Sequence, residues 1–343
     1  MVRIGILGAT GAVGQRLIQL LEPHPEFDIV TLTASPASAG RSYRDAAKWR
    51  ADSPIPESVT DIEVVETAPD AIPNDVDLLF SSLPSDVGAE VEPELAAAGY
   101  VVSSNSSNAR MDPDVPLIIP EVNPDHVNVL EVQQDERGWD GALLKNPNCS
   151  TITMVPTLAA LDEWGLESVR VATLQAVSGA GYSGVTSMEI IDNAIPHIGG
   201  EEQKMERESR KLLGSFDGAE VHLHEMDVAA SCNRIPTIDG HLENVWADTR
   251  ESLSPEAAAE AMADYPSAPL PSSPEPLVHT FEEPERPQPR LDRNLGNGMA
   301  VSAGGFRETD DGVQYNCLAH NTIRGAAGAS VLNGELLLEE GWV

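Results

Sequence analysis

The apolar run Val2-Arg3-Ile4-Gly5-Ile6-Leu7 passes directly into Gly8-Ala9-Thr10-Gly11-Ala12-Val13-Gly14, and that into the amphipathic stretch Gln15-Arg16-Leu17-Ile18-Gln19-Leu20-Leu21. No other segment constrains the fold as tightly. A short apolar run followed by turn residues reads as a buried strand, and apolar residues at helical spacing read as a helix packed against it. Glycines between the two let the backbone approach a pyrophosphate at the positive end of the helix. A tight strand-to-helix turn favours glycine even without a ligand, so the motif draws its weight from its place between strand and helix.

The alternation continues to about Asn146, with strands expected at 28–34, 76–82 and 100–104 and helices at 12–22 and 86–98, the second closed by Gly99. These spacings predict an α/β unit with a parallel sheet. Beyond Cys149 the pattern changes to a helix over 151–164, ended by Gly165, and longer strands at 167–177, 220–224, 243–249, 299–306 and 313–319. Mainly antiparallel pairing in an α+β unit is expected there. Segment 266–290 holds eight prolines, which predicts an extended surface crossing without regular ladders. Residues 325–343 read as a helix returning to the first unit. The expected division is 1–147, rejoined by 325–343, and 148–324.

Composition narrows the function. Asp and Glu total 55 against 21 Lys and Arg, a formal net charge of -34, which argues against a nucleic-acid partner because phosphates need clustered cations. Only four of the cations are lysine: Lys48, Lys145, Lys204 and Lys211. A compact body with this charge repels itself, and about 1 M salt cuts the screening length to roughly 3 Å. A salt-rich cytoplasm is therefore expected. Three cysteines in a long chain do not make a disulfide framework, and the chain carries no long apolar run, so a reducing compartment and no membrane are expected.

Asn146-Pro147-Asn148-Cys149-Ser150 sets a thiol between the apolar Ala142-Leu143-Leu144 and the following helix, where free N–H groups stabilise a thiolate. That setting reads as a nucleophile, whereas Cys232 and Cys317 read as small apolar fillers. A thiol needs a base. Arg234 and His241 bracket Pro236 and Gly240, so a loop can return both cationic groups to one pocket. His222 and His224 share a strand face, but no acid or cysteine at ligand spacing accompanies them, and no metal is expected. The other histidines read as surface or structural. After the second expected strand comes Ser35-Pro36-Ala37-Ser38-Ala39-Gly40-Arg41 in place of the acid that would take ribose hydroxyls. Hydroxyls and a cation suit a 2′-phosphate, hence NADP, though a solvated polar turn has the same composition. Three further polar clusters stand out: Ser103 to Arg110, Gln175 to Gly181, and Glu201 to Lys204, whose end residues share a helix face.

Taken together, Gly8-Ala9-Thr10-Gly11, Ser81 to Asp86, Asn146 to Ser150, Gln175 to Tyr182, Asp239-Gly240-His241 and Asn321 to Gly328 make the chain closely resemble the aspartate-semialdehyde dehydrogenases of archaea and fungi over nearly its whole length. The resemblance implies a Rossmann-type NADP-binding domain and a catalytic and dimerisation domain. It also implies reversible, phosphate-dependent, NADP-linked oxidation of L-aspartate 4-semialdehyde to L-4-aspartyl phosphate, run as a reduction towards threonine, methionine and lysine. By resemblance Cys149 is the acyl-thioester nucleophile, His241 the general acid/base, and Gln175 orients the reacting group. Arg234 takes the substrate α-carboxylate, Glu201 its ammonium, and Arg110 with Lys204 the phosphate. Gly8, Thr10, Gly11, Ala12 and Val13 fall to the pyrophosphate. Ser35 and Ser38 fall near the 2′-phosphate, and Ser82, Leu83, Ser178, Gly179 and Asn321 near the ribose and nicotinamide. Many relatives carry arginine where this chain has Ala37, and Arg41 is the substitute cation. A homodimer or homotetramer is implied as well. The alternatives are a sister reductase acting on N-acetyl-glutamyl phosphate or malonyl-CoA, and a non-catalytic dinucleotide-binding protein.

Overall fold

The computed structural model describes every residue except Ser183. In chain order the first part holds β1 (Val2–Leu7), α1 (Ala12–Leu21), β2 (Phe27–Ala34), the one-turn helices α2 (Tyr43–Ala46) and α3 (Glu57–Thr60), and β3 (Val64–Glu66). It continues with β4 (Leu78–Ser81), α4 (Ser85–Ala97), β5 (Val101–Ser104), α5 (Val129–Arg137) and β6 (Ala142–Lys145). The six strands form one parallel sheet in the order β3-β2-β1-β4-β5-β6. Chain order reverses on either side of β1, so the crevice beyond its carboxyl end is where such sheets bind ligands. The Gly8 to Gly14 turn occupies that point.

The second part begins with α6 (Cys149–Ala159), β7 (Leu166–Gln175), α7 (Ser187–Ile190), α8 (Glu201–Leu212) and the two-residue strands β8 (Ser215–Phe216) and β9 (Val221–His222). It continues with β10 (Asp227–Arg234), β11 (His241–Thr249), α9 (Pro255–Ala263), β12 (Val278–Phe281), α10 (Pro289–Asp292), β13 (Val301–Glu308) and β14 (Gly312–Ala319). A π-helical turn, Ile323–Ala327, then leads into α11 (Gly328–Glu339). The second sheet runs β10-β7-β11-β14-β13-β12 and is mixed, with antiparallel pairs at its centre and a parallel pair at each edge.

Each sheet builds its own core. Ile4, Ile6, Leu32 and Phe80 of the first meet Leu17, Ile18 and the α11 residues Leu332, Leu336 and Leu337. Val169, Val171, Val245 and Tyr315 of the second meet Met154 and Leu158 of α6 and Met262 of α9. Strand alternation leaves Arg170, Ala172, Asn244, Trp246 and Asp248 on the other face, where a groove of about 480 Å³ opens between Arg170, Ala172, Ala229, Ser231 and Trp246. No helix among the described residues is long and apolar enough to cross a membrane.

Several expectations need correction. Segment 266–290 is not free of ladders, because the proline-free window around Val278–Phe281 pairs with β13 as an edge strand. The expected helix over 151–164 starts at Cys149 and stops at Ala159, followed by a separate 3-10 turn at Asp162–Trp164. The expected strand 220–224 is only Val221–His222, so His222 and His224 share no strand face; each instead meets an aspartate, Asp217 at 2.8 Å and Asp162 at 3.0 Å. Arg234 ends a strand, β10, that the sequence pattern did not reveal: its alternation of Val228, Ala230 and Cys232 is short and weakly apolar.

Candidate active site

The end of β6 leads through Asn146 and Pro147 to Asn148, whose side-chain oxygen accepts hydrogen bonds from the N–H groups of Ser150 and Thr151 at 2.9 and 3.1 Å. That cap starts α6 and makes Cys149 its first residue. Gly325, in the π-helical turn, lies so close that a Cβ there would sit 2.7 Å from Cys149 Cβ. The thiol is thus held between a capped helix start and a backbone from the far end of the chain.

His241 opens β11 and brings Nε2 to 3.3 Å from Cys149 Sγ. Its Nδ1 accepts the backbone N–H of Ala176 at 3.1 Å, so the neutral ring carries its hydrogen on Nε2 and points it at sulfur. Arg234 donates from Nη1 to the Ala176 carbonyl at 2.7 Å. A Cβ on Gly179 would lie 2.9 Å from Arg234 Nη1 and 3.5 Å from His241 Nε2, so these two side chains share one pocket, under the Val177 to Gly181 turn.

Helix α8 forms the other wall. Glu201 accepts from Asn148 Nδ2 at 2.8 Å and from Lys204 Nζ at 3.3 Å, and Lys204 is the more exposed of the pair. Arg110 is buried, donating to Glu208 at 2.9 Å and to the Asn105 carbonyl at 2.8 Å, while its Nε has no partner. Gln175 ends β7 on its buried face, but its amide turns to Thr173 Oγ1 at 3.3 Å and makes no hydrogen bond to Cys149.

Electrostatics run against the expected thiolate. Burial, followed by the Glu201 carboxylate, pushes the Cys149 thiol up to about 12, although Arg234 and Arg110 pull the other way. The N–H groups expected to help are committed to the Asn148 cap. Burial, then the charges of Arg234 and His320, holds His241 down to about 3. In the ligand-free pocket thiol and imidazole are both neutral.

The turn after β1 is built to receive an anion. Gly11 caps α1 without a side-chain hydrogen bond, leaving the first-turn N–H groups uncapped by side chains. Gly14 packs so tightly that a Cβ would come within 2.4 Å of the Gly8 carbonyl oxygen. Thr10 receives Gln15 Nε2 on its carbonyl at 3.0 Å, and Ser82 Oγ donates to the Leu7 carbonyl at 2.8 Å, with buried Leu83 next in sequence. Asn321 donates to Ser178 Oγ and accepts from Gly240 N–H, both at 2.8 Å. Ala12 and Val13 start α1, and Ala12 lines a cleft of about 330 Å³ with Ser178, Tyr182, Asp239 and Thr322. One residue from each group of expected cofactor residues, Ala12 and Ser178, therefore borders this cleft. Ser35 and Ser38 form a turn beyond β2, closed by Ser38 N–H on the Ser35 carbonyl at 2.9 Å, and the Arg41 guanidinium is turned onto the Asp45 carbonyl.

Five residues of the pocket were given no role from the sequence. Asn148 and Glu208 had local signals, as an Asn before a helical run and as the residue seven beyond Glu201 on one helix face. Glu243 is two residues along β11 from His241 on the same buried face. His320 and the Ala176 amide had no local signal at all.

Two family profiles cover most of the chain: "Semialdehyde dehydrogenase, NAD binding domain" over residues 3–130 and "Semialdehyde dehydrogenase, dimerisation domain" over 158–324. The chain is 50% identical to the aspartate-semialdehyde dehydrogenase of Archaeoglobus fulgidus, covering 98% of each, and 51% identical to that of Methanothermobacter thermautotrophicus, covering 99% of each. A crystal structure of the Candida albicans aspartate-semialdehyde dehydrogenase with NADP superposes with a TM-score of 0.91 at 40% identity over all of both chains. A Vibrio cholerae aspartate-semialdehyde dehydrogenase complexed with ASA superposes at 0.79 with 26% identity over 99% of each. The chain belongs to the aspartate-semialdehyde dehydrogenase family.

Proposed function

We propose that this chain interconverts L-aspartate 4-semialdehyde and L-4-aspartyl phosphate, with NADP and inorganic phosphate, in the synthesis of threonine, methionine and lysine. The observation that carries this reading is Cys149 Sγ at 3.3 Å from His241 Nε2, with Arg234 and Glu201 beside the pair. A planar guanidinium suits a carboxylate, and a carboxylate suits an ammonium, so the two walls match the two ends of an amino acid. Neither N-acetyl-glutamyl phosphate nor malonyl-CoA offers a free ammonium for Glu201.

In the oxidative direction Cys149 sulfur adds to the aldehyde carbon and gives a thiohemiacetal, whose hydroxyl proton passes to His241. Taking that proton on Nε2 requires the tautomer with hydrogen on Nδ1, so the Ala176 contact opens for this step. Bound NADP⁺ would accept the hydride leaving the thiohemiacetal carbon, which leaves the acyl group on Cys149 as a thioester. Arg110 and Lys204 hold phosphate as its oxygen attacks the thioester carbonyl and sulfur departs. Gln175 turns from Thr173 to meet the reacting oxygen. For the cofactor, Gly8, Thr10, Gly11, Ala12 and Val13 hold the pyrophosphate. Ser35, Ser38 and Arg41 would hold the 2′-phosphate, and Ser82, Leu83, Ser178, Gly179 and Asn321 would meet the ribose and nicotinamide.

The functional division is 1–147 with 325–343 for the cofactor and 148–324 for catalysis and self-association. The open face around Trp246 and Ala172 is where a second copy pairs, giving a homodimer or a pair of dimers. Three free cysteines suit a reducing cytoplasm, and the net charge of -34 suits a salt-rich one. Cys149→Ala tests the central claim. It should abolish phosphate-dependent NADPH formation while NADP still quenches tryptophan fluorescence, and the wild-type enzyme should show a mass adduct on Cys149 during turnover. Turnover retained in Cys149→Ala would refute the reading.

A further inference from the structure

Helix α8 presents Glu201, Lys204, Glu208 and Lys211 along one stripe, at spacings of three and four, facing the pocket. Glu208 is buried and its two oxygens are divided. One accepts from Arg110 Nη1 at 2.9 Å, and the other accepts from the backbone N–H of Asn148 at 2.6 Å. Arg110 follows the loop after β5 in the first sheet, and Asn148 opens the turn that presents Cys149. A single carboxylate thus ties the phosphate side of the pocket to the nucleophile.

Two features make the contact more than packing. First, both partners are donors and each uses a separate oxygen, an arrangement that among side chains only a carboxylate offers. Second, Glu208 and the Asn105 carbonyl occupy both terminal nitrogens of Arg110, leaving Nε–H buried with no partner. Buried N–H groups are rarely left unpaired, so Arg110 Nε–H is a donor available to a bound anion. An oxyanion of phosphate is the group that the reading above brings there.

We infer that Glu208 is a positioning residue for phosphate, holding Arg110 with Nε–H free for the anion while anchoring the Asn148 amide so that phosphate and Cys149 keep a fixed separation. This rests on Arg110 being a phosphate ligand. Lys211 supports the same arrangement from one helical turn on, donating to the carbonyls of Arg110, Asp112 and Val115 at 2.7 to 2.9 Å.

The test uses Glu208→Gln, which keeps the shape but replaces one acceptor with a donor, so one of the two contacts becomes donor against donor. Inorganic phosphate is titrated against the rate at which iodoacetamide alkylates Cys149, and KM values are measured in the oxidative direction. Losing a charge-assisted hydrogen bond should raise the half-protecting phosphate concentration and the phosphate KM about tenfold or more, with the semialdehyde KM within about twofold. Ser209→Ala, which removes a buried hydroxyl bonded to the Met205 carbonyl on the same helix, should change neither. Should Glu208→Gln fail to fold, Glu208→Asp, too short to reach both donors, is read in the same way.

Arg110→Met separates the two ideas. If it leaves phosphate protection unchanged, the phosphate reading of Arg110 fails. If it weakens protection and the Glu208 variants do not, or if those variants raise both KM values alike, the inference about Glu208 is overturned.

Discussion

Cys149 and His241 are neutral because burial opposes the charged form of each, helped at Cys149 by Glu201 and at His241 by Arg234 and His320. The same balance acts on Glu243, fully buried on β11 beneath them, with one carboxyl oxygen unpartnered and the other 3.9 Å from Cys317 Sγ. Burial holds its carboxyl well above the usual carboxylate range, so the folded protein keeps it protonated while the unfolded chain ionises it. A raised folded value means that the stabilising contribution is full below the unfolded value near 4.5 and is lost as pH rises. Glu243→Gln removes that loss. Relative to the wild type it should gain stability above pH 4.5, by at most about 1.4 kcal/mol per pH unit, as read from urea unfolding across pH 4 to 8. A difference that stays flat with pH would mean Glu243 is ionised in the fold.

At the scale of elements, the site is a meeting of three ends: the start of α6, the start of β11 and the π-helical turn Ile323–Ala327. Such π turns concentrate at functional sites because they shift a backbone out of helical register. Here the turn lays Gly325 on Cys149, where any side chain would meet the nucleophile's own backbone at 3.2 Å. Gly325→Ala should lower turnover about a hundredfold through misplacement of the sulfur, while the far-UV spectrum and NADP binding stay near those of the wild type. At the cofactor end, Gly14→Ala should do the converse: a Cβ 2.4 Å from the Gly8 carbonyl pushes α1 off the turn, and NADP affinity falls before Cys149 alkylation changes. Equal losses of both properties in either variant would show that the two ends are not separable.

At the scale of the whole molecule, five of the 21 cations are buried: Arg110, Lys145, Lys211, Arg234 and Arg324. Apart from Glu243, the buried carboxylates each meet a basic side chain: Glu92 with Lys145, Asp114 with Arg137, Glu121 with Arg324, Glu201 with Lys204, Glu208 with Arg110, Asp292 with Arg286 and Glu335 with His24. With 21 cations against 55 acids, this leaves an outer surface dominated by unpaired carboxylates. Their mutual repulsion is screened at molar salt, whereas the buried pairs are scarcely affected. Thermal unfolding should therefore move upward steadily from dilute buffer to about 2 M KCl, where the screening length is only a few ångströms. Equal or greater stability in dilute buffer would contradict this account.

The amino-acid order alone determined the strand, glycine turn and helix at the start, because adjacent residues carry that signal. It also placed Cys149 at a helix start and set the charge balance, which is a property of composition. Tertiary structure decided the rest. Whether His241 meets Cys149, which way its ring is protonated, and that Gln175 faces Thr173 depend on contacts between residues far apart in the chain. The expected thiolate failed for the same reason: the helix start and its Asn148 cap are local, but the depth of burial and the Glu201 charge that oppose ionisation arise only when α6, α8 and β11 close around the sulfur. Chemistry-bearing residue types are local information, while pKa values and proton positions are set by everything that packs against them.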